Sequence, residues 1–209
     1  MSDSSKIREI LRVIEGRGDL GDWWPGQGDE VVIGAVLTQQ TRWENVEMAL
    51  ARLKQRGLCD LGSLNRTTVE KIEDAIRPAG FYRVKTRRLR ALSSLITEQF
   101  GTLEEMARYP LSSLRQELLS VPGIGGETAD CILCFGLQKP TLVIDRYTER
   151  ICTCAGIREK GESLKALLEN ALCPETPVLR QVHARFVEHA KIYCGKNRCE
   201  ECGIARLNG

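Results

Sequence analysis

Apolar residues at helical spacing, interrupted at short intervals by glycine and proline, most narrow what this chain can fold into. Ile7, Ile10, Leu11 and Ile14 fall at i, i+3, i+4 and i+7, which is one face of a helix. Trp43, Val46, Leu50 and Leu53 repeat the pattern, as do Leu89, Leu92 and Ile96, and later Leu164, Leu167, Leu168 and Leu172. The interruptions are Gly16-Arg17-Gly18, Gly57, Pro78-Ala79-Gly80, Gly101, Pro110, Pro122-Gly123, Gly136 and Pro174, residues that end helices for want of an N–H or of a side chain. No run alternates Val, Ile, Thr and Tyr as a half-buried strand does. The expectation is an all-α fold of about ten short helices.

With 209 residues, 42% of them hydrophobic and 28% charged, the chain can bury a sizeable core as one large domain or two small lobes. The expected division is a helical lobe over 29–140 and a second lobe made of 1–28 with 141–209, the latter ending in a cysteine tail over 194–202. No window approaches the ~18 to 20 apolar residues of a membrane span. The start, Met1 to Lys6, runs into an amphipathic segment without a signal-peptide core. A cytoplasmic protein with no membrane partner is expected. Thirty Lys and Arg against 28 Asp and Glu leave a net charge of only +2, so nucleic-acid binding must be argued from where the charges lie. Nine cysteines without an export signal read as thiols or metal ligands before disulfides.

The most informative stretch runs from Leu118 to Tyr147. Val121-Pro122-Gly123-Ile124-Gly125-Gly126 separates two helical segments, within a hairpin over 111–136, and Thr128 lies in the opening turn of the second. Such a turn can offer backbone N–H groups at a helix N-terminus to a phosphate, and its glycines let a DNA backbone come close. By itself it is equally an ordinary helical hairpin. Pro140-Thr141-Leu142-Val143-Ile144 follows as an extended apolar run, and Asp145 then stands at the first turn of a helix over Arg146 to Cys154. A carboxylate there sits in the positive end of the helix macrodipole. A lone aspartate at that place is usually a plain N-cap; here the apolar run before it would fix its position rigidly.

Hairpin, spacer and aspartate in this order resemble the helix-hairpin-helix signature of the endonuclease III superfamily of DNA glycosylases. The resemblance extends upstream through Gly34-Ala35-Val36-Leu37-Thr38-Gln39-Gln40-Thr41 and covers nearly the whole chain. It implies a two-lobed all-α fold that holds double-stranded DNA, as a monomer, with a flipped base in the cleft between lobes. It implies that Asp145 stabilises the oxocarbenium-like sugar and deprotonates the attacking water. Gln39 would fill the gap left in the base stack, and Gly123, Ile124, Gly125, Gly126 and Thr128 would grip the backbone. Bifunctional members carry an imine-forming lysine where this chain has Glu127. A carboxylate cannot form an imine, so a monofunctional enzyme using water, with no cofactor needed for the chemistry, is expected.

Asp22-Trp23-Trp24-Pro25 and Thr41-Arg42-Trp43-Glu44 hold all three tryptophans. They are either core packing or an aromatic slot for a base. Alkylated purines such as 3-methyladenine are cationic, and an indole face attracts such a ring by roughly 1 to 2 kcal/mol per contact. These segments, with RPAGFYRVKTRRLR, are most similar to the 3-methyladenine glycosylase (MagIII-like) branch, which implies a base pocket of Trp23, Trp24, Pro25 and Trp43. That branch also has a pocket lysine in its last helix, whose counterpart here is Arg185. The stretch Arg77 to Arg90 carries six cations and no acid. It is a solvated face or, in a DNA enzyme, a phosphate contact through Arg83, Lys85, Arg87 and Arg88, each neutralised phosphate adding ~0.9 to the salt slope.

Many relatives end in a four-cysteine [4Fe-4S] loop. Here Cys194, Cys199 and Cys202 are spaced x4 and x2, and Asn208 stands in the fourth place. The tail therefore reads as a degenerate cluster loop one thiolate short, with His189, Cys173 and Cys154 as the residues able to complete it. The leading expectation is a glycosylase for alkylated purines. The alternatives are a glycosylase for uracil, mispaired thymine or an oxidised base, and a helix-hairpin-helix DNA-binding module without catalysis.

Overall fold

In the computed structural model, which describes residues 1–208, twelve α-helices follow one another and no strand forms among the described residues. They are α1 (Asp3–Glu15), α2 (Asp29–Leu37), α3 (Trp43–Gln55), α4 (Leu61–Arg66), α5 (Val69–Ile76), α6 (Tyr82–Leu95), α7 (Leu103–Met106), α8 (Leu111–Ser120), α9 (Gly126–Cys131), α10 (Arg146–Cys154), α11 (Gly161–Glu169) and α12 (Thr176–Ile192). The all-α expectation holds, with more helices than the periodicity shows. The additional ones, such as α4 and α7, are too short to repeat an apolar face. They are set instead by local capping: Asp60 caps α4, and Thr102 with Glu105 forms a reciprocal capping box on α7.

The chain divides into two compact units. A central unit spans Trp24–Lys139, and a terminal unit combines Met1–Trp23 with the chain from Pro140 onward. Against the expected division, residues 24–28 fall in the central unit and Pro140 in the terminal one.

In the central unit, α2 is buried at every position from Val31 to Leu37, the pattern of a helix surrounded by others. It packs against α3, α6, α9 and the wider helical turn Ile132–Gly136 that continues α9. Helices α3 and α5 pack together, as do α4 and α6 and the hairpin pair α8 and α9. In the terminal unit, α1 and α10 both pack on α12. Ile7, Ile10 and Ile14 of α1 join Ile151, Leu164, Leu168, Leu179 and Phe186 in one core. The tail residues Cys194, Cys202 and Ile204 close the same core. No helix among the described residues is long and apolar enough to cross a membrane.

Candidate active site

Asp145 is the N-cap of α10, with extended backbone angles. Its Oδ1 accepts two hydrogen bonds from Thr148, from the backbone N–H at 2.7 Å and from the hydroxyl at 2.8 Å. Thr148 is fully buried, so this oxygen is held rigidly. Its Oδ2 has no partner among the described residues. The preceding Thr141, Leu142 and Val143 are buried, which fixes the approach to the cap. Sequence reasoning missed His183 of α12. Its Nδ1 lies 3.2 Å from the Val143 carbonyl; a carbonyl can only accept, so Nδ1 carries the proton. Burial pulls the His183 pKa below its ordinary value, against the opposing pull of Asp145 and the Val143 carbonyl. A lone histidine in an apolar helix gives no signal of this placement.

Trp23 belongs to this same terminal unit. Its ring meets the His183 ring edge-on at 5.5 Å, and its indole N–H donates to Glu188 at 2.9 Å. Burial raises the Glu188 carboxyl, but hydrogen bonds from Lys191 and Trp23 outweigh it and hold the group below its ordinary value. Arg185 is tied by its Nε–H to the Gly18 carbonyl at 2.9 Å.

Trp24, adjacent in sequence, is part of the central unit and has different neighbours. Its ring lies 5.7 Å from Trp43 and 5.5 Å from Phe135, and it covers Gly34 of α2, where a Cβ would already touch the indole at 3.4 Å. Pro25 is exposed beside it. The four pocket residues expected from the sequence therefore divide: Trp24, Pro25 and Trp43 fall in one unit with Phe135, and Trp23 in the other. Phe135 sits in an apolar run and carried no separate signal.

The hairpin turn is joined to Gln39. The Gln39 side-chain amide donates to the Gly123 carbonyl at 3.1 Å and to the Thr128 hydroxyl at 2.9 Å, and its carbonyl accepts from Arg88 at 2.5 Å. Gly123 has φ +87°, and a Cβ there would also collide with the Arg88 side chain, so only glycine fits. Arg115 of α8 and Asp130 of α9 clasp the two helices through bonds of 2.8 and 3.2 Å, with Asp130 only 2% exposed.

Three of the residues expected to contact phosphate have other partners in this structure. Ile124 is buried and its N–H already donates to the Val121 carbonyl. Arg88 is partly exposed, and its guanidinium donates to the Gln39 side-chain carbonyl. Lys85 is 1% exposed, with its ammonium on the carbonyls of Leu37 and Ala79 and the hydroxyl of Thr41. Its position in a basic run concealed that it faces inward on α6. Arg83 and Arg87 are exposed. So is Phe81, 64% exposed with φ +45°, an aromatic side chain on a left-handed turn that the sequence reading passed over.

Cys154, Cys173, Cys194, Cys199 and Cys202 are free thiols. The Cys202 thiol points to the Cys199 carbonyl, and Asn208 at the fourth tail position packs over Gly156. Of the three residues able to complete the set, Cys154 is influenced electrostatically by the tail thiols Cys199 and Cys202. Burial raises its thiol pKa first, and Cys199 and Cys202 add to the rise. His189 instead stacks on Tyr193, and Cys173 is exposed. Among the described residues no three His, Cys, Asp or Glu side chains converge as metal ligands do. These side chains do not fit a four-thiolate cluster as they are arranged.

Residues 33–174 match the family model of the HhH-GPD superfamily of base excision DNA repair proteins. A putative DNA repair glycosylase from Methanocaldococcus jannaschii is 39% identical over 206 residues, 95% of this chain and 92% of that protein. An endonuclease III from Thermotoga maritima is 32% identical over 180 residues, 82% of this chain and 78% of that protein. Among solved structures, H. pylori 3-methyladenine DNA glycosylase (MagIII), bound to 1,N6-ethenoadenine, superposes with a TM-score of 0.80 at 26% identity, covering 92% of this chain and 98% of the other. An endonuclease III–DNA complex shares the fold, with a TM-score of 0.81 at 20% identity over 99% and 95% of the two chains. With its hairpin and its aspartate-capped helix, the chain belongs to the HhH-GPD family, as a DNA base excision repair glycosylase of the endonuclease III superfamily.

Proposed function

We propose that the protein is a monofunctional glycosylase that hydrolyses the N-glycosidic bond of alkylated purines of the 3-methyladenine type in duplex DNA, acting as a monomer. The observation that carries the reading is the Asp145 carboxylate: one oxygen locked by Thr148, the other without a hydrogen-bond partner among the described residues. In the reaction the bond from C1′ to the base breaks and its electron pair leaves with the base. An alkylated purine carries a positive charge, so it departs neutral and needs little acid catalysis. The carboxylate stabilises the positive sugar and takes a proton from the water that adds to C1′. Thr148 orients the carboxylate, and a neutral His183 beside it adds no competing positive charge.

The lesion class is supported by the Trp24, Trp43 and Phe135 cluster, which offers π faces to a cationic ring, and by the likeness to H. pylori MagIII. Arg83, Arg87 and the exposed Phe81 would meet the duplex, with Gln39 exchanging its bonds to the hairpin for the vacated base stack. Glu127 in place of a lysine supports hydrolysis without strand cleavage. A panel of duplexes carrying methylated purines, uracil, mispaired thymine or 8-oxoguanine tests the substrate. Release of methylated purines is expected, and release of only the others would overturn the lesion class. Borohydride reduction on abasic DNA is expected to trap no covalent adduct; a strong adduct would overturn the hydrolytic assignment.

A further inference from the structure

The Lys85 side chain is one of the largest fully buried in the protein, and no carboxylate among the described residues pairs with its ammonium. It donates to the Leu37 carbonyl at 2.7 Å, to the Ala79 carbonyl at 2.9 Å and to the Thr41 hydroxyl. Three donors thus meet three acceptors. The Thr41 hydroxyl in turn donates to Ala79 at 2.6 Å. A charge buried without a counter-ion is costly, and what this one holds are the ends of two turns. Leu37 ends α2, and the turn from Thr38 to Thr41 carries Gln39, followed by Gln40 at φ +53°. Ala79 precedes Gly80 and Phe81, the latter at φ +45°. Non-glycine residues keep such angles only where their surroundings hold them.

We propose that Lys85 is a positioning residue for DNA interrogation. Its ammonium, with the Thr41 hydroxyl, locks the turn bearing Gln39 and the turn bearing Phe81 at one fixed spacing. The inference rests on the reading of Gln39 as the residue that enters the base stack. It gives a physical reason for a buried cation in a stretch otherwise suited to phosphates. Burial, aided by Arg88 on the same helix, lowers the Lys85 pKa to about 8. The other elements around it present carbonyl and hydroxyl oxygens, and Arg77 is turned onto Tyr82. Loss of the proton leaves an amine with two hydrogens for three acceptors, so the lock loosens as pH rises through that value.

The test combines Lys85→Met, Thr41→Val and Thr41→Ser in the full chain, with each variant's folding checked by thermal melting. The readouts are the NMR signals of the Gln39 side-chain amide and single-turnover release of bases from methylated duplex DNA. In Lys85→Met and Thr41→Val the amide signals are expected to move toward those of a solvent-exposed glutamine. Base release should fall by up to about 100-fold, the scale of a misplaced contact group, while binding to undamaged duplex changes little. Thr41→Ser should restore both. In the wild type the amide shifts should titrate with a midpoint near 8, and in Lys85→Met they should not. Unchanged Gln39 signals in folded Thr41→Val and Lys85→Met, or base release at the wild-type rate, overturn the proposal; Thr41→Val carries the test if Lys85→Met fails to fold. A Gln39→Ala variant with wild-type base release would instead sink the DNA-probing reading, and the amide signals alone would still decide whether Lys85 sets the turns.

Discussion

Two aspartates cap helices in this protein with the same local bond. Asp60 accepts from the Ser63 N–H at 2.7 Å, and Asp145 accepts from the Thr148 N–H at 2.7 Å. Both are half-buried. What differs is the second layer. At α4, Asp29 joins Asp60 by accepting from the Leu61 N–H at 2.9 Å, so two carboxylates satisfy one helix start; burial raises Asp29, with Asp60 adding to the rise. At α10, a hydroxyl immobilises one oxygen of a single carboxylate, and His183 stands by. Capping geometry alone does not mark a catalytic group. The surroundings that free one oxygen and fix the other do.

The largest expected effect separates the two caps. Asn caps a helix as well as Asp, so Asp145→Asn should leave the melting temperature nearly unchanged while base release from methylated DNA falls by roughly 10³-fold or more. Asp60→Asn should leave base release unchanged. Equal loss from both, or activity retained by Asp145→Asn, would reduce Asp145 to a cap like the other. A third carboxylate sets the opposite extreme. Asp130 is buried and clasped by Arg115, and Arg115→Met removes those two charge-assisted bonds. A destabilisation of about 3 to 5 kcal/mol is expected by thermal melting, largely recovered when Asp130→Leu is added.

Histidines sharpen the same contrast. His183 faces the Val143 carbonyl near Asp145, whereas neither ring nitrogen of His189 has a hydrogen-bond partner among the described residues. Burial, then Arg17, lowers the His189 pKa to about 4 from an ordinary 6.5. Its folded form binds a proton more weakly than the unfolded chain, so its contribution is intact above pH 6.5 and lost as pH falls toward 4. The loss should amount to about 3 kcal/mol by urea unfolding at pH 4 relative to pH 7. His189→Phe should flatten that limb without shifting the pH profile of base release. An unchanged limb would place the acid sensitivity elsewhere.

The fold was legible because apolar spacing and glycine or proline stops are local. The hairpin turn and Asp145 could be read because motif and spacer lie within one short stretch. What the sequence could not display is direction. Lys85 and Arg87 share a basic run, yet one faces the core and the other solvent, because the run spans more than a full turn of α6. Trp23 and Trp24 are neighbours in the chain, yet the unit boundary passes between them. His183 and Phe135 needed partners distant in sequence to become visible. The tail left three candidate fourth ligands open, and only in the folded chain does Cys154 come under the influence of Cys199 and Cys202.

The smallest effect tests the second layer itself. Thr148→Val keeps the backbone N–H on Asp145 and removes only the hydroxyl bond, a loss of about 1 kcal/mol, or roughly tenfold or less in base release. Thr148→Ser restores the hydroxyl and should restore the rate. Ser63 occupies the matching place at Asp60, where only its N–H reaches the carboxylate. Ser63→Ala should change stability by less than about 0.5 kcal/mol and base release not at all. If Thr148→Val is as silent as Ser63→Ala, the hydroxyl does not orient the carboxylate, and the difference between the two caps lies in His183 and in the second carboxylate at α4. Base release by Thr148→Val, Thr148→Ser and Ser63→Ala, measured under identical single-turnover conditions, decides between these.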